Sequence, residues 1–215
     1  MELTRRTAGV ERLPAVLAIE SAAVVSRAER RASVRDWLLS AAPKPREAAD
    51  EWRDYGIAVL ACGGTLSAVR VSADLVFAAA GVEGPAAKAG TEQITAVDVF
   101  LSDWFDGGAV VMDISARLYY FLVPPLTGRR WDPQGHPHPD AEILGRDSYL
   151  GVPVVDHTEP MGRAYWAVEM DSPGDLCWPD EVASLLHRGQ AALGGPLAGR
   201  PQSPTPDTQG EPRAS

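Results

Sequence analysis

The stretch that most constrains the fold of this chain is Ile114–Pro125, ISARLYYFLVPP. Within it, RLYYFLV is an almost unbroken run of large apolar and aromatic residues, more than a half-exposed edge would carry. It predicts a strand at or near the centre of a sheet, covered on both faces. Proline has no N–H to give to a ladder, so Pro124 and Pro125 mark where that strand leaves the sheet. The head of the run is harder to place. A core strand that opens on Ser115, Ala116 and Arg117 either carries chemistry at its mouth or holds a charge there for structural reasons.

Helices and strands interleave around this strand. Val10, Leu13, Val16 and Leu17 recur at helical spacing, and Val24 and Val25 follow further on. They predict one or two helices between about residues 9 and 40, ending before Pro43 and Pro45. REAADEWRDYG sets Ala48, Trp52 and Tyr55 on one stripe of a short helix that Gly56 stops. IAVLACGG and LSAVRVS read as strands, and ADLVFAAAG as a helix ending at Gly81. Thr91 is placed to cap a helix with the stripe Ile94, Val97, Leu101 and Trp104. Strands follow at AVVMDI, RLYYFLV, AEILG, YLGVPVV and AYWAVEM, then a last helix with Pro179 in its first turn. This order predicts an α+β fold, a mixed β-sheet flanked by helices such as those around Trp52 and Leu101. The expected organisation is a helical extension over residues 1–45, the α+β domain over 46–193 and a disordered tail over 194–215. The tail is rich in Pro, Gly, Ser and Thr and has little to bury.

Charge narrows the function. The 215-residue chain carries a net −9, but residues 1–53 hold ten basic and eight acidic side chains, which leaves −11 on the remainder. A body of that sign repels phosphate backbones, so tight duplex binding by it is not expected. The basic side chains Arg27, Arg30, Arg31 and Arg35 gather near one face of an N-terminal helix. They form either a solvated face or a docking patch for an acidic protein partner. No apolar run reaches membrane-spanning length, and Glu11, Arg12 and Glu20 interrupt any leader-like segment, so a cytoplasmic location is expected. Cys62 and Cys177 lie far apart without a paired spacing and read as separate buried thiols.

The order of segments resembles the N-terminal domain of the bifunctional DNA primase/polymerases, from about Glu47 to Ala192. The resemblance rests on YGIAVLACGG, a second strand, helices, then SARLYYFLVPP, AEILGRDSYLGVPVV and AYWAVEM. In that family an acid-x-acid pair on a strand and a third acid hold the catalytic metals of nucleotidyl transfer. A Ser-x-His motif introduces the aromatic strand and faces the nucleotide. Here the strand expected to hold the acid pair reads AVRVSAD, with Val69, Val71 and Ala73 in the alternating places and Asp74 as the nearest acid. Ser115 persists, Arg117 replaces the histidine, and Glu142 stands for the third acid. The resemblance therefore implies a catalytically degenerate domain, a binding or regulatory module in DNA replication or mobile-element maintenance that needs no cofactor. The alternative is an active phosphoryl- or nucleotidyl-transfer enzyme using magnesium and relocated carboxylates such as Asp106, Asp113 and Glu142.

Either way, Arg117 is expected to face a pocket with Arg70 and Tyr119. Residues 117 and 119 share a face of one strand, and a guanidinium beside an aromatic hydroxyl suits a nucleotide phosphate or carboxylate. The candidate ligand-binding set is thus Arg70, Ser115, Arg117, Tyr119 and Glu142. The plainer reading pairs Arg117 with Asp113 or Glu142.

Other constellations are weaker. HPHPD offers His136, His138 and Asp140 as potential metal ligands in a proline-extended loop; no second cluster of Cys or His completes a tetrahedral site, unless Asp156 and His157 approach in space. Asp103 falls on the polar face of its helix. ACGGT lacks the length and the Lys-Ser/Thr of a phosphate loop. Trp131, Trp166 and Trp178 are expected in the core or the cleft wall.

Overall fold

A computed structural model describes residues 15–131 and 141–194 of the chain. The loop holding His136, His138 and Asp140, and the tail beyond Gly194, lie outside the described residues. Among the described residues the elements run α1 (Ala15–Leu39), α2 (Pro45–Tyr55), β1 (Ile57–Ala61), β2 (Ser67–Ser72), α3 (Ala73–Ala80) and α4 (Thr91–Trp104). Then come β3 (Ala109–Asp113), β4 (Leu118–Val123), α5 (Thr127–Trp131), β5 (Ala141–Leu144), β6 (Tyr149–Pro153), β7 (Ala164–Val168) and α6 (Pro179–Ala192). The fold is α+β. A five-stranded sheet has the order β5-β2-β4-β3-β7, and β1 and β6 form a separate two-stranded sheet. Every pairing is antiparallel, so the mixture lies in helices and strands rather than in strand direction.

The RLYYFLV run now has its physical account, because β4 is the middle strand and is covered on both sides. Tyr119, Phe121 and Val123 point into a core shared with α3, α4 and α6. Leu122 points the other way, into a core shared with α1, α2, β1 and β6. A strand buried on both faces must be apolar throughout. Its exit is pinned as well: the Thr127 hydroxyl donates to the Pro124 carbonyl at 2.7 Å, and the Ser67 hydroxyl to the Pro125 carbonyl at 3.2 Å.

Several local expectations shift. Gly56 does end α2, in the left-handed conformation at φ 72, but Tyr55 is 79% exposed, and only Ala48 and Trp52 of its stripe are buried. Helix α4 is entered through Gly90, whose N–H donates to the Gln93 side chain at 3.1 Å, so Thr91 is its first residue and not its cap. Trp166 is buried and Trp131 half-buried, whereas Trp178 is 64% exposed at the entry to α6. Cys62 and Cys177 are free and buried in different cores. No described helix is long and apolar enough to cross a membrane.

Helices α3 and α6 touch backbone to backbone at Gly189. A Cβ there would lie 2.5 Å from the Leu75 carbonyl oxygen and 2.9 Å from its Cγ. Helix backbone cannot yield by that much without spreading the pair. Gly189→Ala is therefore expected to destabilise the protein by about 1–3 kcal/mol, despite alanine's better helix propensity. A denaturant midpoint equal to or above the wild-type value would refute that close packing.

Candidate functional site

The candidate site follows from strand parity. Strand β2 pairs with β4 so that Arg70 lies opposite Tyr120, and with β5 so that Arg70 lies opposite Glu142. Ala68 on the same face belongs to the core under α1 and α2, while Val69 and Val71 enter the α3, α4 and α6 core. Residues 68, 70 and 72 therefore face the α1/α2 side, and alternation sends their neighbours to the other. The expected acid positions Val69 and Val71 are thus buried core residues, and Ala73 already begins α3. The α1/α2 face of this strand carries Arg70, about half exposed, and Ser72, whose hydroxyl caps α3 by accepting the Leu75 N–H at 3.4 Å.

The pocket expected around Arg117 does not form, for one reason of register. Asp113 ends β3, and its Oδ1 accepts the Ser115 hydroxyl at 2.6 Å and the Ala116 N–H at 2.8 Å. That carboxylate folds residues 114–117 into the hairpin turn, with Arg117 in the left-handed region at φ 56. The Arg117 carbonyl accepts the Ala73 N–H, which ties the turn to the start of α3. Arg117 is exposed, and among the described residues it forms no ion pair with Asp113 or Glu142. The strand starts at Leu118, and its register sets Tyr119 opposite Val71 and Met112 in the interior, while Tyr120 lies opposite Arg70 and shares its face.

What the fold does bring together is Arg70, Glu142 and Tyr120. The Arg70 Nη2 forms an ion pair with the Glu142 Oε2, with both side chains about half exposed. Tyr120, half-buried between them and β3, has its hydroxyl pKa pushed up. Burial is the main cause, followed by the Asp113 carboxylate, while Arg70 opposes, Glu142 adds to the rise and Arg163 again opposes. Arg163 precedes β7 and joins the hairpin by accepting the Ile114 N–H on its carbonyl at 2.9 Å. No sequence motif marks Arg163; only the pairing of Asp113 with Ala164 brings it here.

The carboxylates of the enzyme alternative are dispersed. Asp113 and Glu142 lie on strands separated by β4 and β2, so their backbones are roughly 14 Å apart at ordinary strand spacing. Asp106 is exposed beyond the opposite end of β3. Among the described residues, no three His, Cys, Asp or Glu side chains gather as a metal-ligand set.

A second polar group lies on the other face of the sheet. The Tyr165 hydroxyl, from β7, donates to both Asp98 oxygens, at 3.0 and 2.9 Å. Burial pushes the Asp98 pKa up to about 7, against the lowering effect of the Tyr165 hydrogen bond. The Tyr119 hydroxyl is fully buried there without a hydrogen-bond partner among the described residues. This group went unread in the sequence, although one signal was present: Asp98 sits four residues after Ile94 and three before Leu101, at the margin of the apolar stripe.

Comparison with protein-family models, curated proteins and solved structures returned no match.

Proposed function

We propose that this chain is a catalytically degenerate primase/polymerase-like domain that serves as a binding or regulatory module in DNA replication or mobile-element maintenance. The observation that carries this reading is the arginine at position 70. The positions where the resemblance calls for carboxylates, 69, 71 and 73, are core residues here, and the half-exposed charge that β2 carries between them is a guanidinium, Arg70. A fixed cation there takes an anion directly, without a metal between them. Only one nitrogen of Arg70 is engaged by Glu142, so the remaining N–H donors are available to a phosphate or carboxylate. Glu142 offsets much of the charge and the body is acidic, so the affinity is weak and falls with salt. A regulatory module also needs a surface for a partner, and the exposed arginines of α1 supply one.

Calorimetry with nucleoside triphosphates tests the site. The wild type is expected to bind weakly, Arg70→Ala to lose binding, and Arg117→Ala to keep it, since Arg117 lies in the hairpin turn. Binding that survives Arg70→Ala but not Arg117→Ala would overturn this assignment. Template-dependent nucleotide incorporation that requires magnesium and is abolished by Glu142→Ala would instead establish the enzyme reading.

A further inference from the structure

Helix α1 packs on the body of the protein only from Val34 onward among the residues whose burial is described. Of its residues from Arg27 to Leu39, only Val34, Trp37, Leu38 and Leu39 are buried or half-buried, and Arg27 to Ser33 are all exposed. Beside this exposed stretch runs a groove of about 690 Å3, with α1 as one wall and Val154–Asp156 as the other. Arg27, Arg31 and Arg35 line it along α1, with Ala28 and Ala32 between them.

We propose that this groove docks a segment of a partner protein in which carboxylates alternate with apolar side chains. The proposal rests on the binding-module reading and deepens it by naming the chemistry of the partner.

Charge supplies the first argument. The three arginines are four residues apart, so they rise about 6 Å from one to the next along the helix. Arg31 is held at the centre by Asp156 at 3.2 Å and by Glu169 at 3.8 Å. Arg27 and Arg35 flank it without an ion pair among the described residues. Three arginines thus face two carboxylates, Asp156 and Glu169, both drawn to Arg31, so among the described residues the cationic excess of the groove lies at its two ends, Arg27 and Arg35. Carboxylates two helical turns apart, or four residues apart in an extended chain, match the interval of about 12 Å between Arg27 and Arg35. The remainder of the chain is net negative, so this strip is where an acidic segment is attracted and not repelled.

The floor supplies the second. Ala28 and Ala32 are small, and Val154 and Val155 are half-buried, so the space between the arginines is apolar. A nucleic-acid backbone would use the guanidinium groups but leave that floor empty, and the acidic body would oppose its polyanionic field. A protein segment fills both. It would also bury a helical stretch that presently has little packing of its own, and helices draw most of their stability from packing.

Fluorescence anisotropy on the full chain tests this with three labelled probes. One is a synthetic peptide of glutamates with leucine at every third or fourth position. The second is the same peptide with serine for leucine, and the third is a single-stranded oligodeoxynucleotide of equal charge. The leucine peptide is expected to bind, and to weaken as salt is added. The double variant Arg27→Glu with Arg35→Glu should weaken it on the order of tenfold. Ala32→Trp should weaken it without any change of charge, by filling the floor. Circular dichroism should show these exposed positions leaving the fold intact. Arg70→Ala should leave peptide binding unchanged, so failure here is distinct from failure of the anion site. The proposal is overturned if no probe binds, or if the serine peptide binds as well as the leucine one. It is equally overturned if the oligonucleotide binds as tightly and is lost in the same variants. Self-association of the wild type that the double variant abolishes would also overturn it, giving the groove to a second copy of the chain.

Discussion

Replacing Asp98 with asparagine is expected to stabilise the protein above pH 7 and to flatten the dependence of its stability on pH. The carboxyl of Asp98 titrates at about 7 in the folded protein against an ordinary value of 3.8, because burial disfavours its charged form. Between those values the folded state binds a proton that the unfolded state has released, so stability falls as pH rises through this window. Below about pH 4 the penalty is absent, and above about pH 7 it is fully present. Asparagine carries no such penalty, and its carbonyl can still accept from Tyr165. The gain at pH 8 should be on the order of 2 kcal/mol, allowing for the solvent screening of a half-buried carboxylate. At pH 4 the two proteins should be nearly equal. Asp98→Ala separates the two roles, because it removes the charge but leaves the Tyr165 hydroxyl without its acceptor. Denaturant titrations at a series of pH values decide the matter. Parallel curves for wild type and Asp98→Asn would mean that Asp98 titrates alike in the folded and unfolded protein and carries no burial penalty.

The comparison between Asp98 and Arg117 shows what kind of information the sequence held. Periodicity carried the order of elements and the central place of β4, because those depend on which residues are apolar, and apolarity is legible residue by residue. Parity was not legible. Whether Tyr119 or Tyr120 faces the cleft depends on where the β3–β4 hairpin ends, and that is set by Asp113 accepting from Ser115 and Ala116. A left-handed arginine is uncommon and leaves no sequence signature of the kind that glycine would. One residue of error moved Tyr119 from the core to the surface and hid the row Glu142–Arg70–Tyr120. Asp98 illustrates a different loss. On the helix it borders the polar face, and only β7, sixty-seven residues later in the chain, brings the hydroxyl that partners it in a half-buried position.

Trp52→Ala is expected to be the most damaging single change, and to act on the candidate cleft as well as on stability. The indole is 4% exposed, and its Nε1–H donates to the Val152 carbonyl at 2.9 Å. It therefore ties α2 to β6, one of only two strands in the small sheet. A two-stranded sheet does not hold its shape alone in water, so β1 and β6 depend on what packs against them. On the β1 side α2 also contributes the Glu51 carboxylate, which accepts the Val59 N–H at 3.0 Å. Removing the ring leaves a cavity between α2 and the sheet and an orphaned carbonyl, at a cost of about 3–5 kcal/mol. Trp52→Phe keeps most of the packing and loses the hydrogen bond, so it should cost less. That ordering distinguishes a structural tie from a surface stacking role, in which alanine and phenylalanine would differ in ligand binding but not in stability. The small sheet packs over the same face that carries Arg70 and Tyr120. Loosening it should thus weaken nucleotide binding in Trp52→Ala under conditions where the variant is still folded. An unchanged denaturant midpoint in Trp52→Ala would remove both the tie and its consequence for the cleft.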